Sequence, residues 1–179
     1  MPTINGTSGN DTLNGTDGDD AINGLGGNDT INGGWGNDTV DAGAGDDTLQ
    51  PDADNDILQG GDGDDIIYDW SGDDVIDGGA GIDTVTFVTS GINHVVNLGS
   101  TTIEFTGEGS DIFVNVENIV GSDGNDIFYG SGLANQISGG GGEDIIGGYG
   151  GDDVLTGGLG ADRFDFFAGD GSDTITDLS

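Results

Sequence analysis

Residues 6–50 read GTSGNDTLN, GTDGDDAIN, GLGGNDTIN, GGWGNDTVD and AGAGDDTLQ. These lines of nine align without a gap. The alignment runs on through PDADNDILQ, GGDGDDIIY, DWSGDDVID and GGAGIDTVT to Thr86. The sixth position is Asp every time: Asp11, Asp20, Asp29, Asp38, Asp47, Asp56, Asp65, Asp74 and Asp83. The eighth is always aliphatic: Leu13, Ile22, Ile31, Val40, Leu49, Leu58, Ile67, Ile76 and Val85. A short fixed period is the mark of a stacked architecture. Each unit reads as a Gly/Asp turn followed by a short strand that sends one aliphatic side chain inward. Helix is disfavoured, because glycines recur every few residues and each costs about 1 kcal/mol in a helix interior.

A second array starts at Gly121 with GSDGNDIFY, GSGLANQIS, GGGGEDIIG, GYGGDDVLT and GGLGADRFD. Its sixth positions are Asp126, Asn135, Asp144, Asp153 and Asp162. Beyond Phe166 and Phe167 one more unit fits, AGDGSDTIT, with Asp173 and Ile175. Residues 87–120 break the period. Their stretches HVVNL, TTIEF and DIFVNVENIV are rich in apolar and β-branched residues, and one unit-like stretch, TGEGSDIFV, carries Asp111. The expectation is longer strands there, forming an enlarged coil or bridging sheet. The chain therefore divides into a first array at 1–86, a bridging segment at 87–120, and a second array with its cap at 121–179, stacked as one solenoid.

Composition narrows the function. Among 179 residues there are 40 Gly and 35 acidic side chains against one basic one, Arg163, for a net charge of −34. Nucleic-acid binding needs basic groups, which are missing. No apolar run is long enough to span a membrane. The start MPTING has neither a basic nor an apolar signal region, so it does not read as a secretory leader. With no cysteine, disulfides and thiolate sites are excluded.

If one coil takes two units, aspartates 18 residues apart stack on one edge. Asp11, Asp29, Asp47, Asp65 and Asp83 form one column, and Asp20, Asp38, Asp56 and Asp74 the other. Adjacent strands lie about 4.8 Å apart. Two carboxylates at that distance repel by roughly 1–3 kcal/mol at dielectrics between water and a protein surface. A column of them opposes folding unless a cation sits between each pair. Carboxylates with turn carbonyls make an all-oxygen site, which suits Ca²⁺ better than Mg²⁺, an ion that demands tighter geometry and keeps its waters.

The units closely resemble the calcium-binding nonapeptide of the RTX (repeats-in-toxin) family, G-G-x-G-x-D-x-U-x. The resemblance implies an all-β, right-handed parallel β-roll with Ca²⁺ between turns on both edges. It implies that each ion takes the second- and fourth-position carbonyls and the Asp of one unit. The unit 18 residues later adds its first- and third-position carbonyls and its Asp. On the first edge, Thr7, Gly9 and Asp11 would meet Gly24, Gly26 and Asp29. One coil up, Leu25, Gly27 and Asp29 would meet Ala42, Ala44 and Asp47. Gly43, Gly45 and Asp47 would then meet Gly60, Asp62 and Asp65, and Gly61, Gly63 and Asp65 would meet Gly78, Ala80 and Asp83. On the second edge, Thr16, Gly18 and Asp20 would meet Gly33, Trp35 and Asp38, and above them Gly34, Gly36 and Asp38 would meet Pro51, Ala53 and Asp56. In the later array Ser122, Gly124 and Asp126 would meet Gly139, Gly141 and Asp144. Gly140, Gly142 and Asp144 would meet Gly157, Leu159 and Asp162, and Tyr149, Gly151 and Asp153 would pair with Asp173. The count is roughly seven to ten Ca²⁺.

Two departures weaken particular rungs. PDADNDILQ has no Gly and DWSGDDVID lacks both leading glycines, so the rung joining Asp56 to Asp74 is the poorest in the first array. Asn135 replaces Asp, so its rung with Asp153 is expected to be weak or empty.

The leading functional reading is a calcium-responsive folding module of a secreted bacterial protein, with type I secretion implied by the resemblance. The alternative is a calcium-dependent adhesive surface with a carbohydrate or cell-surface partner, using Trp35 and Trp70 two coils apart on one edge. Ice binding would need a regular Thr/Asn array, and the third positions Ser8, Asp17, Gly26, Trp35 and Ala44 do not supply one. Catalysis finds no footing: His94 is the only histidine and reads as structural. Fifth-position aspartates (Asp19, Asp46, Asp64, Asp73, Asp152) read as solvated turn residues. Arg163 reads as an exposed partner of Asp162, and Phe164, Phe166 and Phe167 as a cover for the open end of the core.

Overall fold

Each strand of the repeat is short because the glycine-rich turn returns after one aliphatic residue. A computed structural model of the chain describes residues 1–87, 91–100, 104–105 and 109–178. The first array forms β1 (Thr3–Asn5), β2 (Thr12–Asn14), β3 (Ala21–Asn23), β4 (Thr30–Asn32), β5 (Thr39–Ala44), β6 (Thr48–Gln50), β7 (Ile57–Asp62), β8 (Ile66–Asp69), β9 (Val75–Ala80) and β10 (Thr84–Phe87). The bridging segment gives β11 (Val95–Asn97), β12 (Glu104–Phe105), β13 (Ser110–Val114) and β14 (Asn118–Val120). The second array gives β15 (Ile127–Tyr129), β16 (Gln136–Gly141), β17 (Ile145–Gly147), β18 (Val154–Leu159), β19 (Arg163–Phe164) and β20 (Thr174–Ile175). No helix occurs among the described residues.

Alternate strands join alternate sheets. One sheet runs β2-β4-β6-β8-β10-β14-β16-β18-β20, and the other runs β1-β3-β5-β7-β9-β13-β12-β11-β15-β17-β19. In the arrays every pairing is parallel, with a register of one coil: Leu13 lies against Ile31, Ile31 against Leu49, and Val40 against Leu58. The result is a parallel β-solenoid of about nine turns, one per strand of the nine-stranded sheet.

The eighth-position aliphatics fill the space between the sheets. Ile22, Leu58, Ile67, Ile76, Val85, Ile146 and Leu155 are wholly buried. Neighbouring seventh and ninth positions face outward, as strand alternation requires.

The bridging segment departs from this plan on one side only. Between β10 and β16 the first-named sheet inserts β14 alone, while the other inserts β13, β12 and β11 between β9 and β15. β12 is antiparallel to both its neighbours. Two extra strands widen that sheet by about 10 Å. Aromatic side chains occupy the wedge: Phe87 lies 4.4 Å from the His94 ring, 5.8 Å from Phe128 and 6.1 Å from Phe113, centroid to centroid. The longer strands expected here are not found among the described residues. The six-residue strands are β5, β7, β9, β16 and β18, in the arrays, where pairing carries on through the turn glycines, as Gly43 with Gly61. The TTIEF and TGEGSDIFV stretches lie partly outside the described residues.

Candidate metal centre

The sixth-position aspartates form two continuous columns. The Asp11 N–H donates to Asp29 Oδ1 at 2.8 Å, and Asp29 to Asp47, Asp47 to Asp65 and Asp65 to Asp83 repeat the bond at 2.6–2.9 Å. On the other edge Asp20 donates to Asp38, Asp38 to Asp56 and Asp56 to Asp74, at 2.7–2.8 Å. In the later array Asp126 donates to Asp144 and Asp144 to Asp162, while Asn135 donates to Asp153 and Asp153 to Asp173. One oxygen of each carboxylate is thus held by the backbone of the coil before.

The other oxygen is left over. Oδ2 of Asp29, Asp38, Asp47, Asp56, Asp65, Asp74, Asp83, Asp144 and Asp153 is buried and has no hydrogen-bond donor. A buried, ionised oxygen with no donor is costly. Asp11 and Asp20 differ: Thr7 and Thr16, at the second position of the same units, donate to their Oδ2 through both N–H and hydroxyl.

Turn carbonyls face the same gaps. A Cβ built on Gly6 would lie 2.6 Å from the Gly24 oxygen and 2.8 Å from Asp11 Oδ2, so carbonyl and carboxylate look at one point. The same holds for the Pro51 oxygen (2.9 Å) and Asp38 Oδ2 (2.6 Å) at Gly33. These contacts explain why the first position is usually glycine. Second- and fourth-position carbonyls look forward to the next coil: those of Thr16, Leu25 and Ser122 meet Gly34, Gly43 and Gly140, and those of Gly27, Gly45 and Gly124 meet Gly45, Gly63 and Gly142. Third-position carbonyls of Ala44, Asp62, Ala80 and Leu159 look back and accept the fourth-position N–H of the previous coil at 2.7–2.8 Å. Each keeps a second lone pair.

Most units take left-handed φ at the second position, the fourth or both, whereas Thr7, Gly9, Thr16 and Gly18 do not. Glycine supplies it at Gly43 and Gly45, with φ of 106° and 129°. The glycine-free unit keeps the same turn through Asp52 (77°) and Asp54 (86°), and Leu25 and Tyr149 do likewise at their second positions. Aspartate tolerates this region better than most residues.

Burial is the main cause that lifts nine of the column carboxyls above their ordinary range. Asp38, Asp65, Asp74, Asp83 and Asp126 rise to about 6 and Asp56 to about 8. The backbone N–H of the previous rung pulls each down, and neighbouring carboxylates push up again. Asp47, Asp144 and Asp153 move up for the same leading reason. Buried donorless oxygens, converging carbonyls and mutual repulsion form a donor set that fits a hard divalent cation.

At the bridging segment the same backbone-to-side-chain bond is made over spacings that lie off the period. Asp74 N–H donates to Asp111 Oδ1 across 37 residues, Asp83 N–H to Glu117 Oε2 across 34, and His94 N–H to Asp126 Oδ1 across 32. Glu117 and His94 therefore occupy rung positions that spacing did not reveal. Asn135 donates through Nδ2 to the Glu117 carbonyl at 2.6 Å, which an ionised aspartate at this position could not do.

Three sequence readings are corrected. Fifth-position Asp and Asn are exposed but bonded: Asp19 accepts from the Asn37 N–H, Asp46 from Asp64, Asp64 from Ile82, Asp73 from Ser110 and Asp152 from Ser172. Arg163 pairs with Asp165 at 2.8 Å and not with Asp162, because positions two apart on a strand share the outer face. Phe164 packs on the core, but Phe166 and Phe167 stay about half exposed, and Phe167 lies beside Tyr149, 5.6 Å between rings. Trp35 and Trp70 are both exposed, and Trp70 borders a shallow pocket with Asn32, Gln50 and Asp52.

A family model for the RTX calcium-binding nonapeptide repeat, in four copies, matches residues 3–31, 14–49, 52–85, 116–146 and 129–164, together well over half of the chain. The stretch it leaves between 85 and 116 is the bridging segment. A search of the curated proteins finds no match.

Proposed function

The chain belongs to the RTX calcium-binding nonapeptide repeat family, and from that premise we propose that it is a β-roll module whose folding is driven by extracellular calcium, serving the secretion and stability of a secreted bacterial protein. The observation that carries this reading is the row of buried, donorless Oδ2 atoms on both edges. Bound calcium would supply the positive charge and the oxygen-seeking shell that those rungs lack. Asp29, Asp47, Asp65 and Asp83 would hold it on one edge, and Asp38 and Asp56 on the other, with the converging turn carbonyls. About seven to ten ions would be held, at concentrations near the 10⁻⁴–10⁻³ M typical of extracellular modules.

The chain's own part is to keep the carboxylates in register. From Asp29 to Asp83 on one edge and from Asp38 to Asp74 on the other, each rung fixes Oδ1 through a backbone N–H and leaves Oδ2 for the ion. Without counter-charge the columns repel, and one aliphatic side chain per nine residues is a thin core to set against that. A chain of this kind stays unfolded where calcium is scarce and folds where it is plentiful, which suits export as an unfolded chain. The module is of a structural, non-catalytic kind.

The test is far-UV circular dichroism with calcium and then with excess chelator. Loss of the strand signal on chelation, and its return on calcium addition, is the expected result. A strand signal that persists in the metal-free sample rejects the coupling.

A second reading, a calcium-dependent glycan-binding face, has one observation in its favour: the exposed Trp70 indole beside Asn32, Gln50 and Asp52. Glycan-array binding that is lost in Trp70→Ala, with the strand signal unchanged, would favour it.

A further inference from the structure

Resting on the calcium-module reading, we propose that Asp69 adds a third carboxylate to the rung between Asp74 and Asp111, making a carboxylate-rich calcium site that fills before the other rungs and ties the bridging segment to the first array. One carboxylate oxygen from each lies within 4.8 Å of the other two, and all three residues are buried. Its third carboxylate is not a product of the nonapeptide rule. In that rule the first position is a small residue whose carbonyl serves the rung, and Asp69 is the one acidic residue at a first position in either array. Asp111 comes from β13, at the sixth position of the unit-like stretch TGEGSDIFV, 37 residues beyond Asp74.

Geometry points the spare oxygen of Asp74 into this group. Its Oδ1 accepts the Asp56 N–H at 2.7 Å, and its Oδ2 has no donor although the residue is only 1% exposed. In the other units the sixth-position Oδ2 lies beside the first position of its own unit, as at Gly6, Gly33 and Gly78, 2.6–2.8 Å from a Cβ built there. In this unit the first position is Asp69. The Asp74 N–H, in turn, holds Asp111 at 2.7 Å, so that carboxylate is fixed against the same rung.

Three carboxylates give this site one more negative charge than a repeat rung, and calcium affinity rises with ligand charge and rigidity. Burial leaves little room for the waters that magnesium retains, so calcium is the cation of choice. The consequence is an order of filling. The site takes its ion at a calcium concentration about tenfold below the midpoint of the rungs, and β13 is then docked on β9 before the columns are complete.

The experiment is equilibrium dialysis of the full chain against buffered calcium, with bound calcium per chain measured across the series. The wild-type chain should retain one equivalent ahead of the others. Asp69→Gly restores the small residue of the repeat, and Asp69→Asn keeps the volume while removing the charge. Both should lose the early equivalent, keep the later phase, and show the full strand signal at saturating calcium. Wild-type binding in a single phase overturns the inference without any variant, and so does an early equivalent that survives in both variants. No calcium bound at any concentration would defeat the calcium-module reading as well, whereas two variants with unchanged profiles defeat this inference alone.

Discussion

Between Asp11 and Asp83 the two edge columns advance 18 residues per rung and carry only aspartate, and the interior carries one aliphatic side chain per strand. Across residues 87–120 the same bond is made over steps of 37, 34 and 32 residues, from Asp74 to Asp111, Asp83 to Glu117 and His94 to Asp126, beside an interior of stacked rings. The rung itself, one backbone N–H to one acceptor side chain of the next coil, survives this change. The coil-to-coil hydrogen bond is therefore kept at each of these steps, while the number of residues between its partners is adjustable. What changes is the source of stability: charge that calls for a counter-ion in the arrays, and apolar ring burial at the joint.

The largest difference to look for is in the response to acid. In the calcium-free protein the folded array holds its carboxyl protons up to about pH 6, at Asp38, Asp65, Asp74 and Asp83, and up to about 8 at Asp56. The same groups in an unfolded chain release theirs near pH 4. Protonation therefore favours the folded form. That contribution is complete below about pH 4 and is lost as pH rises through 6. In chelator, lowering the pH from 7 to 4.5 should raise the strand signal, with amide protection returning across 38–83 more than across 112–119. A strand signal that falls on acidification would break the comparison, since the array would then not be limited by its own negative charge.

The first half of the comparison was readable in the sequence because each unit repeats its own chemistry at its own position. Asp at six and an aliphatic at eight specify the edge and the core of one coil, and a fixed spacing stacks the coils. The joint resisted the same reading. β12 runs antiparallel, so residues close in the chain are not one rung apart, and Glu117 and His94 carry no positional signature. Asp111 was visible as a repeat-like aspartate, but its neighbour Asp69 was masked by a position where the pattern expects glycine. The fifth-position ladder was missed for another reason: an exposed Asn or Asp looks solvated in sequence, and only stacking shows that it accepts a backbone N–H from the next coil.

A second, smaller contrast lies in the two interiors. Phe87 touches three rings at the wedge, whereas Leu58 packs among aliphatics of adjacent coils. In the calcium-loaded protein Phe87→Ala should cost about 3–5 kcal/mol and Leu58→Ala about 2–5 kcal/mol, measured by denaturant unfolding at saturating calcium. The phenylalanine should also uncouple the arrays, splitting one transition into two, because its ring stacks on His94 and Phe128 where the bridging segment joins the second array. The leucine should lower a single transition. One transition in both variants would mean that the nine-stranded sheet alone carries cooperativity through the joint.

The finest contrast concerns glycine. Gly61 has φ of 116°, and a Cβ there would fall on the Gly43 carbonyl oxygen, one of the groups facing the rung between Asp47 and Asp65. Gly91, at the joint, has φ of 77°, and a Cβ there meets nothing within 4 Å. Gly91→Ala therefore pays only for the left-handed backbone, about 1–2 kcal/mol. Gly61→Ala pays that and must also move a carbonyl, so it should cost more and raise the calcium concentration at half-folding, while Gly91→Ala leaves calcium response unchanged. Calcium titrations of the two variants, followed by circular dichroism, separate the effects. Equal midpoints would show that the Gly43 carbonyl can move without disturbing its rung, and the tight stacking of turns would then owe nothing to the ion.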